Sequence, residues 1–361
     1  MRPITPMPIP EQCIPPAPDI HDLTIIQFAD VANSRSRCLA VHSLVDTLSP
    51  LRFAASHQWK GTSMRDFEYE APTTLSAALE LAAKHNGTAR FMAGGTDLID
   101  QVRVGRLSPD VIIDVKKLAE LNVLQHDTSG LRLGAAVPCC DVYGHCGIVS
   151  DYSALADSCR IIGGVQIQSR GSVGGNLCNS GPAADSTPSL IVLGAVAVIA
   201  GPNGTRTVPV EDFCTGPGKN VLQPGEILVE MKFPARVANS GSHYRRFIPR
   251  NEMDIAVVGI GASVVLNDSK DKFISARIAL GAVAATPLFA KVASDGLAGQ
   301  PVNDESIAAA AAAARAIATP IDDMRGTKEF RLHITGVLVE RVLKAAIARA
   351  RGEHVDCKVG H

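Results

Sequence analysis

Residues 170–185 read RGSVGGNLCNSGPAAD, and the order of small residues in that stretch decides the fold. An apolar helical run at 155–162, closed by Gly163 and Gly164, precedes it, and a second apolar run at 189–200 follows. The stretch is therefore expected to be a loop between ordered elements. Gly174 and Gly175 lack the Cβ atoms that would hold a phosphate away from backbone N–H groups, and they tolerate positive φ, so neighbouring amides can converge on one oxygen. A bulky replacement such as Gly175→Val is expected to push the backbone off such a ligand. Ser172 and Asn176 add side-chain donors. Asp185 repels phosphate, but its carboxylate suits ribose hydroxyls or a base edge. On its own a Gly-Gly pair favours a plain turn before a helix cap.

A second stretch changes that balance. Residues 90–98, RFMAGGTDL, run from a short apolar strand into Gly94 and Gly95, then into a helix expected over 98–104 with Thr96 or Asp97 as its N-cap. Two glycine-rich strand-to-helix turns in one domain suit a diphosphate bridge gripped from both sides.

Together with YRRFIPRNEMDIAVVG at 244–259, these two motifs closely resemble the FAD-binding medium subunit of the molybdenum hydroxylases, the family of xanthine dehydrogenase, aldehyde oxidase and aerobic carbon monoxide dehydrogenase. The resemblance spans about residues 64–352. It implies an α+β chain, with a two-part FAD-binding domain of the vanillyl-alcohol-oxidase or PCMH type at 64–240 and a smaller C-terminal domain of antiparallel sheet and helices at 243–355. The cofactor implied is FAD. The implied contacts are Ala93, Gly94, Gly95, Thr96, Asp97 and Leu98 in the first turn, and Ser172, Val173, Gly174, Gly175, Asn176, Pro182 and Asp185 in the second. Arg246, Asp254 and Ile255 are expected to enclose the flavin, with Ile255 against its ring.

The resemblance also implies partners: a small subunit carrying [2Fe-2S] clusters and a large subunit carrying the molybdenum cofactor. Electrons would reach the flavin from the clusters and leave to NAD, oxygen or another acceptor. Ser169 stands where the family commonly has Asn, and Asn220 where it commonly has Thr.

Composition sets outer limits. With 361 residues a length prior gives about two domains, and an apolar share of 46% supports a sizeable core. Lys and Arg total 35 against 36 acids, a balance that points away from nucleic acid and anionic membranes. Nine cysteines are scattered without a C-x-x-C pair, so reduced thiols in a cytoplasmic protein are expected. Neither Ser-His-Asp spacing, H-E-x-x-H nor a Walker lysine occurs, which leaves the hard chemistry to a cofactor. The proline-rich residues 1–63 lack family motifs and a secretory pattern, and are expected to be a disordered or non-native extension.

The remaining elements follow from periodicity and turn chemistry. A strand at 67–72 leads to a helix over 75–85, and DVIIDV at 110–115 is a strand buried on both faces. Segments 118–125 and 130–137 read as a strand pair, and 195–200 with 205–210 as a hairpin around Asn203-Gly204. Beyond a linker at 234–242, strands at 257–266 and 273–283 pair, followed by helices over 290–297, 305–318 and 328–351. A stand-alone flavin oxidase of the same fold and a flavin-free scaffold stay open as alternatives. The first would need its own substrate base, and the second would lose donors from the two turns.

Overall fold

The computed structural model describes residues 64–85 and 87–355; the expected extension at 1–63 lies outside them. The first layer is built from β1 (Glu68–Glu70), α1 (Leu75–Lys84), β2 (Ala89–Met92), α2 (Leu98–Arg103) and β3 (Val111–Asp114). Its sheet is parallel in the order β1-β3-β2. The central strand is β3, and its four residues are all buried, as an apolar run without alternation requires. Thr74 caps α1 by accepting from the Ala77 amide.

A second sheet takes β4 (Leu124–Asp127), β5 (Gly130–Gly134), β6 (Val196–Gly201), β7 (Gly204–Pro209) and β10 (Ile227–Pro234) in the antiparallel order β4-β5-β10-β6-β7. Between β5 and β6 the chain makes six short helices: α3 (Cys139–Gly144), α4 (Cys146–Asp151), α5 (Ser153–Cys159), α6 (Val165–Gln168), α7 (Val173–Asn179) and α8 (Ser186–Val192). The small pair β8 (Cys214–Gly216) and β9 (Lys219–Asn220) precedes β10.

The C-terminal part is a four-stranded antiparallel sheet of β11 (Ser240–Phe247), β12 (Val258–Leu266), β13 (Phe273–Gly281) and β14 (Leu288–Phe289). Helices α9 (Lys291–Leu297), α10 (Asp304–Ala316) and α11 (Lys328–Ala350) follow it. Val339, Val342, Leu343 and Ala346 are fully buried in the same cluster as Ile260, Val264 and Ile278, so α11 lays its apolar stripe on the sheet. Among the described residues no helix is long and apolar enough to cross a membrane.

Three local expectations are corrected. The stretch 170–185 is not wholly loop, because it contains α7, nucleated where the Ser172 hydroxyl accepts from the Gly175 amide at 3.1 Å. That helix ends at Ser180, in the left-handed region at φ 50°. The apolar run 189–200 is split between α8 and β6 by the turn at Gly194, φ 66°. Residues 119–122 form a single turn of 3-10 helix rather than strand, since Asn122 bonds back to the Lys116 and Leu118 carbonyls. In addition, Ser240 and the arginine-rich run after it form β11, a strand whose charged residues hid its register.

Candidate functional site

The two glycine turns lie against each other. An added Cβ on Gly94 would stand 2.2 Å from the Arg170 carbonyl oxygen and 2.9 Å from the Gly171 Cα, so the turns touch through backbone and only glycine fits at position 94. The Thr96 hydroxyl lies beside Gly171. Gly95 has φ 74°, the conformation that turns the chain from β2 into α2. Among the described residues, the amides of Gly94, Gly95, Thr96 and Asp97 donate to no protein group. Four consecutive unspent N–H groups on a tight turn are a ready cradle for an anion.

Side chains hold this turn in place. Lys116 Nζ donates to the Ala93 carbonyl at 3.1 Å and to Asp114 Oδ2 at 2.6 Å, and the Tyr69 hydroxyl donates to that same carboxylate oxygen at 2.6 Å. Burial pushes the Asp114 carboxyl up, but the bonds from Lys116 and Tyr69 outweigh it and leave it below the usual range. Asp97 caps α2 by position without a side-chain bond to the helix amides. Its Oδ2 accepts instead from Gln101 Nε2 at 2.6 Å, and Gln101 also donates to Asn179 Oδ1 at 3.1 Å. Gln101 thus couples α2 to α7. Leu98, half-buried, opens α2.

On the second turn, roles differ from those read in the sequence. The Gly175 amide is taken by Ser172 Oγ and the Asn176 amide by the Ser172 carbonyl, so neither backbone N–H is spare. Gly175 is exposed, and a Cβ there would meet only Ser172 Oγ, at 3.1 Å. Gly174 is the tight position, where a Cβ would stand 2.5 Å from the Ala135 carbonyl oxygen. Val173 is fully buried. Asn176 Oδ1 accepts from Ser186 Oγ at 2.6 Å, which leaves its NH2 group to donate elsewhere. The Pro182 carbonyl accepts from the Ala282 amide at 2.8 Å.

Asp185 sits just before α8 and is 7% exposed. Tyr244 Oη donates to its Oδ1 at 2.8 Å and Arg246 Nη1 to its Oδ2 at 2.5 Å. Burial nevertheless pushes the carboxyl up to about 6, against the pull of Arg246 and Tyr244. Arg246 shares this carboxylate with Tyr244 because alternate residues of β11 point to the same side. Arg250 Nε, 3.3 Å away, and Arg325 Nε, 3.9 Å away, flank Asp254. Asp254 Oδ1 accepts from the Ile255 amide at 2.8 Å, and the Ile255 side chain is half exposed. Sequence reasoning missed Gln101 and Lys116, and had Tyr244 only as the first residue of the motif at 244–259. For Tyr244 the signal was its position two residues before Arg246.

The arrangement fits a dinucleotide cofactor. A backbone cradle with unspent amides matches a diphosphate, a buried carboxylate with remaining lone pairs matches sugar hydroxyls, and a half-exposed aliphatic residue matches an aromatic ring face. The buried Arg246 Nε and Thr187 Oγ1 have no partner, so the polar demand around Asp185 is not met by the protein alone.

Fold and site together define a nucleotide-cofactor protein with a C-terminal antiparallel-sheet domain. Comparison with known proteins gives the family. The FAD binding domain in molybdopterin dehydrogenase matches residues 65–236, and the CO dehydrogenase flavoprotein C-terminal domain matches residues 243–346. The carbon monoxide dehydrogenase medium chain of Hydrogenophaga pseudoflava is 31% identical over 283 residues, covering 78% of this chain and 98% of that one. The xanthine dehydrogenase FAD-binding subunit of Escherichia coli O157:H7 is 32% identical over 293 residues, covering 80% and 99%. A solved structure of the Hydrogenophaga pseudoflava carbon monoxide dehydrogenase superposes with a TM-score of 0.76 at 31% identity, over 79% of this chain and 98% of that one. The chain belongs to the FAD-binding medium subunits of the molybdenum hydroxylases, oxidoreductases that act within a complex. Its α+β architecture, an FAD-binding domain followed by an antiparallel-sheet domain, is the one the motifs implied.

Proposed function

We propose that this chain is the electron-output part of a molybdenum hydroxylase, receiving electrons from iron-sulfur clusters on a small subunit and passing them to NAD, oxygen or another external acceptor. The observation that carries this reading is the backbone contact of Gly94 with Arg170 and Gly171, which sets four unspent amides opposite the turn that leads to Asp185. Bound FAD supplies the chemistry, taking up electrons singly or in pairs. The protein's part is to bind, orient and shield.

In this assignment Gly94, Gly95 and Thr96 donate to the diphosphate, with Ala93, Asp97 and Leu98 completing their turn. Ser172, Val173, Gly174, Gly175, Asn176 and Pro182 form the opposite wall, with Asn176 contributing its side-chain NH2. Asp185 accepts from adenosine-side hydroxyls. Arg246, bonded to Asp185, belongs on the adenosine side with it, and Asp254 and Ile255 close the flavin end. A large molybdenum subunit would carry the substrate site, as the subunit names medium chain and FAD-binding subunit suit a divided enzyme. The free thiols of Cys139, Cys159, Cys178 and Cys214 suit a cytoplasmic setting.

The test is the purified full-length chain. It should be yellow, with one FAD per chain, and should turn over no substrate until the iron-sulfur and molybdenum subunits are added. A colourless protein would favour a scaffold. Full turnover by the chain alone would make it a stand-alone flavin oxidase.

A further inference from the structure

We infer that Tyr244 is a positioning residue for Asp185: its hydroxyl, seated in the space that Gly259 leaves open, fixes the carboxylate as an aimed acceptor for the adenosine-side hydroxyls of FAD. The inference rests on the assignment of Asp185 to FAD given above, and adds a residue from the other domain to that subsite.

Tyr244 and Arg246 are two apart on β11 and so share a face. They reach one carboxylate from the same side, Tyr244 at Oδ1 and Arg246 at Oδ2. One donor on each oxygen fixes the carboxylate plane and leaves each oxygen a lone pair for ligand. The phenol is itself held by shape. Gly259 pairs with Arg246 across the β11–β12 ladder, and a Cβ on Gly259 would stand 2.5 Å from Tyr244 Oη and 3.3 Å from its Cζ. No side chain fits there without displacing the hydroxyl.

Tyr244 is 3% exposed. Burial, then the Asp185 charge, raises its ionisation well above the ordinary tyrosine value, so it donates at every working pH. The titratable and charged groups facing Asp185 are Tyr244 and Arg246; the adjoining Ser186 and its partner Asn176 are neutral. With Asp185 pushed up to about 6 by burial, loss of the Tyr244 bond moves its protonation further toward neutral pH. An acceptor that protonates in that range loses affinity for hydroxyl donors.

The experiment is FAD titration into the flavin-stripped full-length chain, followed by flavin fluorescence between about pH 5 and pH 8.5, a range that brackets carboxylate protonation in this site. Tyr244→Phe should bind FAD roughly tenfold more weakly near neutral pH, and its affinity should begin to fall at a higher pH than in the parent. Gly259→Ala should weaken binding by a similar factor, and the double variant should be no worse than Tyr244→Phe, because removing the hydroxyl frees the space that the new methyl needs. Parent-like affinity in Tyr244→Phe, an unmoved pH profile, or losses that add in the double variant would each overturn the inference. Asp185→Asn separates the two layers. If it loses FAD while Tyr244→Phe does not, only the role of Tyr244 falls; if it binds normally, the assignment of Asp185 itself falls.

Discussion

Arg349, at the end of the last helix, holds Asp157 of α5 by two bonds across 192 positions of sequence, Nη1 to Oδ2 at 2.6 Å and Nη2 to Oδ1 at 3.0 Å. His243 Nδ1 lies 2.7 Å from the same Oδ2, and the Tyr244 amide donates to it at 3.2 Å. A buried carboxylate is thus shared by three elements, α5, β11 and α11. Burial pushes Asp157 up, but the bonds from His243 and Arg349 outweigh it and hold it well below the usual carboxylate range.

Removing one partner of such a group leaves an uncompensated buried charge. Asp157→Asn should therefore cost about 3–5 kcal/mol of stability at neutral pH. Because the folded-state value is depressed, the parent's advantage is fully present above the ordinary value of 3.8 and is lost as pH falls toward the folded value. Urea unfolding at neutral pH and again below about pH 4 checks this. A stability gap unchanged by acid would contradict it.

The two glycines that a sequence reader treats alike should behave differently. Gly94→Ala drives a methyl into the Arg170 carbonyl and should part the two turns, lowering FAD affinity by well over tenfold, the loss of at least one charge-assisted bond. Gly175→Ala meets only a hydroxyl at 3.1 Å and should retain FAD within a few-fold, the scale of a surface change. Flavin content of the two purified variants decides the matter, and equal losses would refute the distinction.

Lys116 reaches the cradle only through the Ala93 carbonyl. Lys116→Met keeps most of the stem and loses the donor, so the first turn should loosen while the core stays intact. FAD affinity is expected to drop several-fold, about 1 kcal/mol, and the melting temperature to fall as well, because the buried Asp114 loses its ion-pair partner. A parent-like dissociation constant would show that the turn needs no such support.

Ala282 has φ 65°, in the left-handed region, where its amide donates to Pro182 and its carbonyl accepts from Arg331 Nη1 at 3.1 Å. Both bonds use backbone atoms, which glycine keeps. Ala282→Gly should stabilise the chain by about 0.5–1 kcal/mol, read by thermal unfolding. Destabilisation would mean that the Ala282 methyl packs better than its backbone geometry suggests.

Most of the fold was legible because its strands and helices obey local rules. The unbroken apolar run of β3, the Asn203-Gly204 hairpin and the stripe of α11 each announce themselves. Besides α7 and the turn at 119–122, the element that escaped was β11, where Arg245 and Arg246 mask a strand whose inward partners come from the other domain. For the same reason the pairing of Arg246 with Asp185, 61 residues away, has no local signal in the sequence. Family resemblance located both glycine turns. It could not tell which glycine is sterically obligatory, since that depends on the carbonyls of Arg170 and Ala135 across the gap.

By sequence β11 opens the C-terminal domain, yet its side chains work mostly for the other one. Ser242 bonds Ser153 and the Ala154 amide, His243 meets Asp157, and Tyr244 and Arg246 meet Asp185. A cut near residue 240 would leave Asp157 and Asp185 without their β11 partners and the other half with a row of stranded polar groups. Neither piece is a transferable module, so recombination within this family is expected to inherit the two halves together, with the shared carboxylates Asp157 and Asp185 travelling on the joint between them.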